Sequence, residues 1–120
     1  MSEYTNEIAR ITDVRIQDPD LPLRQALRRV RRPRLTEDGK LAIVAADHPA
    51  RRVTGVGSNP LAMADRSDYL ARILRVLESE RIDGVMATMD VLEELLIVSA
   101  LRIDQGQADP LAEKILIGSM

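Results

Sequence analysis

From Leu41 to Ala46 six apolar residues run without alternation into Asp47, His48 and Pro49. A strand buried on both faces gives that pattern, because each of its faces meets apolar neighbours. Ile82 to Met89 (IDGVMATM) is a second short apolar run, and Leu111 to Met120, ending ILIGSM, is a third. Between the first two, Tyr69, Leu70, Ile73, Leu74 and Leu77 recur at helical spacing, which predicts a helix from about Arg66 to Glu80 capped by Asp65 or Ser67. Between the second and third, Asp90 with Glu93 signals a helix start, predicting a helix over Val91 to about Ile103 that Gly106 stops. Upstream, Ile8, Ile11 and Val14 predict an amphipathic helix from about Tyr4 to Gln17, ended by Asp18-Pro19-Asp20. Leu23, Ala26, Leu27 and Val30 predict another from Leu21 to about Arg31, with Pro33 as its boundary. Ala50 to Pro60, with two glycines, an asparagine and a proline, reads as a long loop.

The predicted order is two lead-in helices, then strand, helix, strand, helix, strand. Alternation of this kind implies a parallel α/β sheet, because each helix returns the chain to the same end of the sheet. The strands recur about every 30 to 40 residues, the length of βαβ units. The expected architecture is the N-terminal portion of a (β/α)8 TIM barrel within a single domain, residues 1–120, with lead-in helices over 1–39 and the barrel units over 40–120. A chain ending on a buried strand is expected to be part of a larger barrel, since closure takes eight strands and about 250 residues.

Composition narrows the chemistry. The chain has 120 residues, of which 45% are hydrophobic, and only Tyr4 and Tyr69 are aromatic in the Phe, Trp and Tyr class. The core is therefore aliphatic, and base-stacking platforms for nucleic acid are not expected. There is no cysteine and one histidine, which excludes disulfides, a thiolate nucleophile and multi-histidine metal sites, so no metal and no cofactor are assigned. No stretch nears the roughly 20 apolar residues of a membrane span, and a cytoplasmic protein is expected. The net charge of −2 conceals a run of Arg24, Arg28, Arg29, Arg31, Arg32 and Arg34. That run is either a phosphate or nucleic-acid patch or a solvated helix face or subunit contact, and the lack of accompanying aromatics favours the second. A homo-oligomer is compatible with it.

In a parallel sheet the carboxyl ends of the strands form the functional face. Asp47 and His48, Thr88 to Asp90, and Ser119 map there. A carboxylate beside a histidine at a strand end can act as a general acid/base pair, clamp a substrate hydroxyl, or form a structural turn. Adjacent strand residues point to opposite sides, so one of the two is expected to be structural. Arg51 and Arg52 follow in the same loop and suit a phosphate or carboxylate of a substrate, or simply keep the loop soluble. Gly55-Val56-Gly57 lacks the third glycine of a dinucleotide fingerprint.

The stretch KLAIVAADHPARRVTGVG, the segment SDYLARILRVLESERIDGVMATMDVLEEL and the strand KILIGSM resemble the DeoC/LacD-type class I aldolases of the (β/α)8 fold. The likeness is greatest to the deoxyribose-phosphate-aldolase-like branch associated with inositol catabolism, and more distant to archaeal-type fructose-bisphosphate aldolases. It implies a carbon–carbon lyase acting on a small, phosphorylated or unphosphorylated carbohydrate, with Asp47 facing the substrate and His48 beside it. Asp47 and His48 are then the expected catalytic residues, and Arg51, Arg52 and Asp90, at the same strand ends, the expected substrate-binding ones. It also implies a Schiff-base lysine on a later strand, which neither Lys40 nor Lys114 matches, so the fragment alone is expected to be inactive. The alternative is a non-catalytic α/β binding or assembly module that uses the arginine-rich helix.

Overall fold

A computed structural model describes residues 4–29, 31–34, 36, 38–46 and 60–119, with side chains from Arg66 onward in the last segment. Three short helices lead in: α1 (Thr5–Ala9), α2 (Ile11–Gln17) and α3 (Leu21–Arg28). Strand β1 (Ile43–Ala45), helix α4 (Pro60–Leu77), strand β2 (Gly84–Thr88), helix α5 (Met89–Asp104) and strand β3 (Ile115–Ser119) follow.

The single helix expected over Tyr4 to Gln17 is broken at Arg10, whose N–H bonds to the Glu7 carbonyl three residues back rather than four. The tighter turn lets α1 and α2 each present an apolar residue inward, and Ile8 and Ile11 are both buried. Helix α3 stops at Arg28, short of Arg31, because Arg29 takes an extended backbone (φ −66°, ψ 155°). Arg29 and Arg32 are thereby brought to the start of β3, where they donate to the carbonyls of Lys114 (2.7 Å) and Glu113 (2.9 Å). Helix α4 begins at Pro60, so Asp65 and Ser67 lie inside it rather than capping it; proline suits a first helical position, where its missing N–H costs nothing. Asp90 likewise sits in the first turn of α5, and Thr88, with extended backbone, is the residue before the helix. Gly106, at φ +76°, ends α5 as expected.

The sheet has the order β1-β2-β3, all parallel. Ile43, Val44 and Ala45 pair with Gly84, Val85 and Met86, and β2 pairs along its whole length from Gly84↔Ile115 to Thr88↔Ser119. Gly84 is required at its place: a Cβ there would lie 2.2 Å from the Ile115 carbonyl oxygen.

Alternation along each strand sorts the side chains into two faces. Val85, Ala87 and Leu116 face the helices, and Val85 and Ala87 are fully buried against a core that includes Leu70, Leu74, Val91, Leu95 and Val98. On the other face three rows cross the sheet: Ile43–Gly84–Ile115, Ala45–Met86–Ile117, and then Thr88–Ser119. This second face is less covered, with Ile117 38% exposed and Met86 half-buried. The expectation that the strands are buried on both faces therefore holds for the helix side only; among the described residues no layer covers the other.

Helix α5 is the centre of the helical layer. It packs on β2 and β3, and α1, α2, α3 and α4 all pack on it. Its sequence is apolar nearly all round, as suits a helix enclosed by neighbours, and Leu95 to Arg102 are buried without interruption. Two buried polar links reach it from the lead-in segment. Arg102 Nη1 pairs with Glu7 Oε1 at 3.1 Å, both side chains being nearly inaccessible, while its guanidinium lies 4.7 Å from the Tyr4 ring centre. Gln25 Nε2 donates to Ser99 Oγ (3.0 Å), which donates to Asp109 Oδ1 (2.5 Å).

Candidate functional site at the carboxyl edge of the sheet

Because the strands are parallel, their carboxyl ends gather at one edge, and α5 starts there directly after β2 with no intervening loop. The open face changes character at this edge. Its two apolar rows give way to a pair of hydroxyls, Thr88 and Ser119, in register across β2 and β3.

Thr88 Oγ1 donates to Asp90 Oδ1 at 2.6 Å, holding that carboxylate beside the helix N-terminus, where the backbone dipole favours negative charge. Arg66, near the middle of α4, closes the other side: its Nη2 donates to Asp90 Oδ2 (2.9 Å) and its Nε to Glu94 Oε1 (2.9 Å). Arg15 of α2 reaches the same turn, donating to Glu93 Oε1 (2.9 Å) and to the Asp90 carbonyl (3.2 Å). Burial pushes the Asp90 carboxyl up, but the hydrogen bonds from Thr88 and Arg66 outweigh it and hold the group below the ordinary carboxylate range. Arg66 is likewise disfavoured by burial and then raised, on balance, by Asp90 and Glu94. Asp90 is thus a fixed hydrogen-bond acceptor at neutral pH and not a proton donor. Its side chain remains 57% exposed, so one side of it faces outward.

Ser119 Oγ is buried and has no hydrogen-bond partner among the described residues. A hydroxyl in that state can both donate and accept, and leaving it unmatched is unfavourable. Beside it, Gly118 makes room for the Met89 side chain, whose Sδ would lie 2.7 Å from a Cβ at that position. Met89 is itself 56% exposed and gives the edge an apolar lip.

Of the sequence-predicted site residues, Asp90 is placed at this edge together with Thr88 and Ser119. Asp47, His48, Arg51 and Arg52 lie outside the described residues. Arg66 and Arg15 were not singled out as site residues; the trace they leave in the sequence is the acidic cluster Asp90, Glu93 and Glu94 at a helix start, which needs cationic partners from elsewhere. Among the described residues no three His, Cys, Asp or Glu side chains converge as a metal-holding group, and no helix is long and apolar enough to cross a membrane.

Lys40 and Lys114 lie at the opposite, amino end. Lys114 Nζ donates to the carbonyls of Ser79 (2.9 Å) and Ile82 (2.6 Å), joining the end of α4 to β3. The arginine run is largely occupied within the chain: Arg24 pairs with Asp18, Arg28 donates to Gln25 Oε1, Arg29 and Arg32 hold the start of β3, and Arg32 also pairs with Asp83 at 3.1 Å. These contacts give the run a structural part and leave less of it for an assembly partner.

The sequence model of the Cgl0159-like family matches residues 39–120. The crystal structure of Cgl0159 from Corynebacterium glutamicum is similar over 96% of this chain, at 36% identity and a TM-score of 0.72, and the match spans 36% of that protein's length. No curated protein matches. The two matches overturn the resemblance to DeoC/LacD-type class I aldolases, and with it the lyase, deoxyribose-phosphate-aldolase-like and inositol-catabolism expectations. Much of what lies behind that resemblance, an unbroken apolar strand and a repeated strand–helix unit, is common to parallel α/β folds and does not discriminate between families. On the match over most of its length and on its likeness to a solved relative, the chain belongs to the Cgl0159-like family.

Proposed function

We propose that the chain forms the opening strand–helix units of a (β/α)8 barrel, and that the carboxyl edge of its sheet binds a small polyhydroxylated molecule of the carbohydrate class. Consecutive parallel strands in the order β1-β2-β3 and an open face with two apolar rows support the barrel, since those rows gain most from a packed interior. The observation that carries the binding site is Ser119 Oγ, buried and without a partner among the described residues, in register with Thr88, whose hydroxyl is bonded to the Asp90 carboxylate. A vicinal diol suits such a group of acceptors and donors: one hydroxyl donates to a carboxylate oxygen and its neighbour exchanges hydrogen bonds with serine. In this reading Asp47, His48, Arg51 and Arg52, which follow β1 in the sequence, contribute to the same site.

The test is saturation-transfer NMR with tetrose, pentose and hexose sugars and their alditols, on the wild type and on a Ser119→Ala/Thr88→Val variant. At least one compound should bind the wild type, and the variant should bind it about tenfold more weakly, the effect of losing roughly one net hydrogen bond or slightly more. Binding by none of them, or equal binding by both proteins, would remove the assignment. For the barrel, an experimental structure of the gene product as expressed in cells should show β3 followed by another parallel strand; an antiparallel neighbour on β1 or β3 would exclude it.

A further inference from the structure

The geometry points to a second binding site, for a small organic phosphate, at the amino end of the sheet. A recess of about 620 Å3 opens there, and Arg32, Arg34, Lys40 and Arg81 line it. The opposing carboxylates are Asp38, Asp83 and Glu113, and two of these are already held by the chain's own donors. Asp83 receives Arg32 on Oδ1 (3.1 Å) and the Ala42 N–H on Oδ2 (2.7 Å). Asp38 Oδ1 receives Thr36 Oγ1 (3.2 Å) and the Lys40 N–H (3.0 Å). With Asp83 matched to Arg32, the remaining cations Arg34, Lys40 and Arg81 outnumber Asp38 and Glu113 among the described lining residues, and that balance favours an anion.

Its wall is built rather than incidental. Glu113 adopts φ +62°, a left-handed backbone seldom taken by residues other than glycine and asparagine, and its carbonyl is fixed there by Arg32 Nε at 2.9 Å. The recess is also much larger than a bare phosphate and falls in the range of small-molecule pockets, roughly 300–1,000 Å3. Pro33, Leu41 and Ala42 supply an apolar wall for the organic part of the ligand, and Leu41 is 40% exposed there. Two guanidinium groups and an ammonium lining one recess favour a phosphate dianion over a single carboxylate, because each guanidinium offers a two-pronged donor to tetrahedral oxygens. This site stands at the other end of the strands from the hydroxyl edge and is independent of it.

Phenyl phosphate is the probe, with benzoate and benzyl alcohol as the carboxylate and neutral comparators, and amide chemical-shift titration is the readout. Phenyl phosphate should shift the amides of Leu41, Ala42 and Asp83 saturably. An Arg34→Gln/Arg81→Gln variant, altered only at exposed side chains, should bind it about tenfold more weakly, the loss expected for charge-assisted hydrogen bonds. Asp38→Asn, which keeps the acceptor oxygen and removes a charge, should tighten binding severalfold. Benzoate binding as tightly as phenyl phosphate would overturn the phosphate assignment. Equal binding of benzyl alcohol, absence of a saturable shift at these amides, or unchanged affinity in the arginine variant would overturn the site itself.

Discussion

At the amino end of the sheet polar groups are turned onto the chain's own backbone. Asp83 is the clearest case: its side chain takes the Ala42 N–H and Arg32, while its main chain bonds to Ala42 and Ile115 on either side. At the carboxyl end, by contrast, the open face ends in two hydroxyls, one held by Asp90 and one unmatched. The same three strands thus end in a cross-linked base on one side and in groups with bonding capacity left over on the other. The contrast separates the groups that hold the strands in register from the hydroxyls that end the open face.

The largest expected effect comes from breaking the link between the lead-in helices and that base. Helix α5 runs back from the carboxyl edge, so Arg102 lies toward the amino end, and Glu7 is its buried ionic partner. Glu7→Ala removes the carboxylate that faces the buried Arg102 guanidinium and should destabilise the fold by about 3–5 kcal/mol in a denaturant titration. A loss below about 1 kcal/mol, the size of an exposed pair, would show that the lead-in helices are held by packing alone. Next in size is Gly84→Ala, whose methyl would overlap the Ile115 backbone; overpacking of this kind costs about 1–3 kcal/mol, and a neutral result would mean that β2 and β3 can separate locally.

The smallest effect is on pH dependence, and it compares the two ends directly. The Ala42 N–H, and then Arg32, hold Asp83 below the usual carboxylate range, and Asp90 is depressed as well despite its burial. A carboxyl whose folded pKa is depressed contributes stability that is complete above its unfolded value, about 3.9, and is lost as pH falls through the folded pKa. Stability should therefore decline below about pH 4. Asp83→Asn should flatten that acid limb more than Asp90→Asn, because burial opposes the depression at Asp90. Thermal unfolding at a series of pH values decides it, and the reverse order would place the stabilising charge at the carboxyl edge.

The parallel strand–helix order was legible in the sequence because each element has its own period: the unbroken run before Asp47, the stripe of Leu70, Ile73, Leu74 and Leu77, and the stop at Gly106. The sheet pairing and the placing of Thr88, Asp90 and Ser119 at one edge followed from that order. Element ends were less legible, since they depend on tertiary contacts. The turn at Arg10 serves packing of Ile8 and Ile11, and α3 ends early because Arg29 and Arg32 are drawn to the carbonyls before β3. The arginine run looked like a surface patch because its partners, Lys114, Glu113 and Asp83, are more than fifty residues away in the chain. Family membership was not legible for a simpler reason: an unbroken apolar strand and a strand–helix alternation belong to many parallel α/β folds and not to one chemistry.

The enclosure of α5 by the lead-in helices also fixes an order in time. Arg102 and Glu7 are 95 residues apart, Arg15 and Glu93 are 78 apart, and Gln25 and Ser99 are 74 apart. A nascent chain makes α1 to α3 first but cannot dock them until α5 has been synthesised, roughly 4 to 19 s later at about 5–20 residues per second. Helices of five to eight residues have little stability by themselves, so α1 to α3 pass that interval without lasting structure. Closure of such long loops is slow, so the docking of α1 to α3 follows the formation of α5.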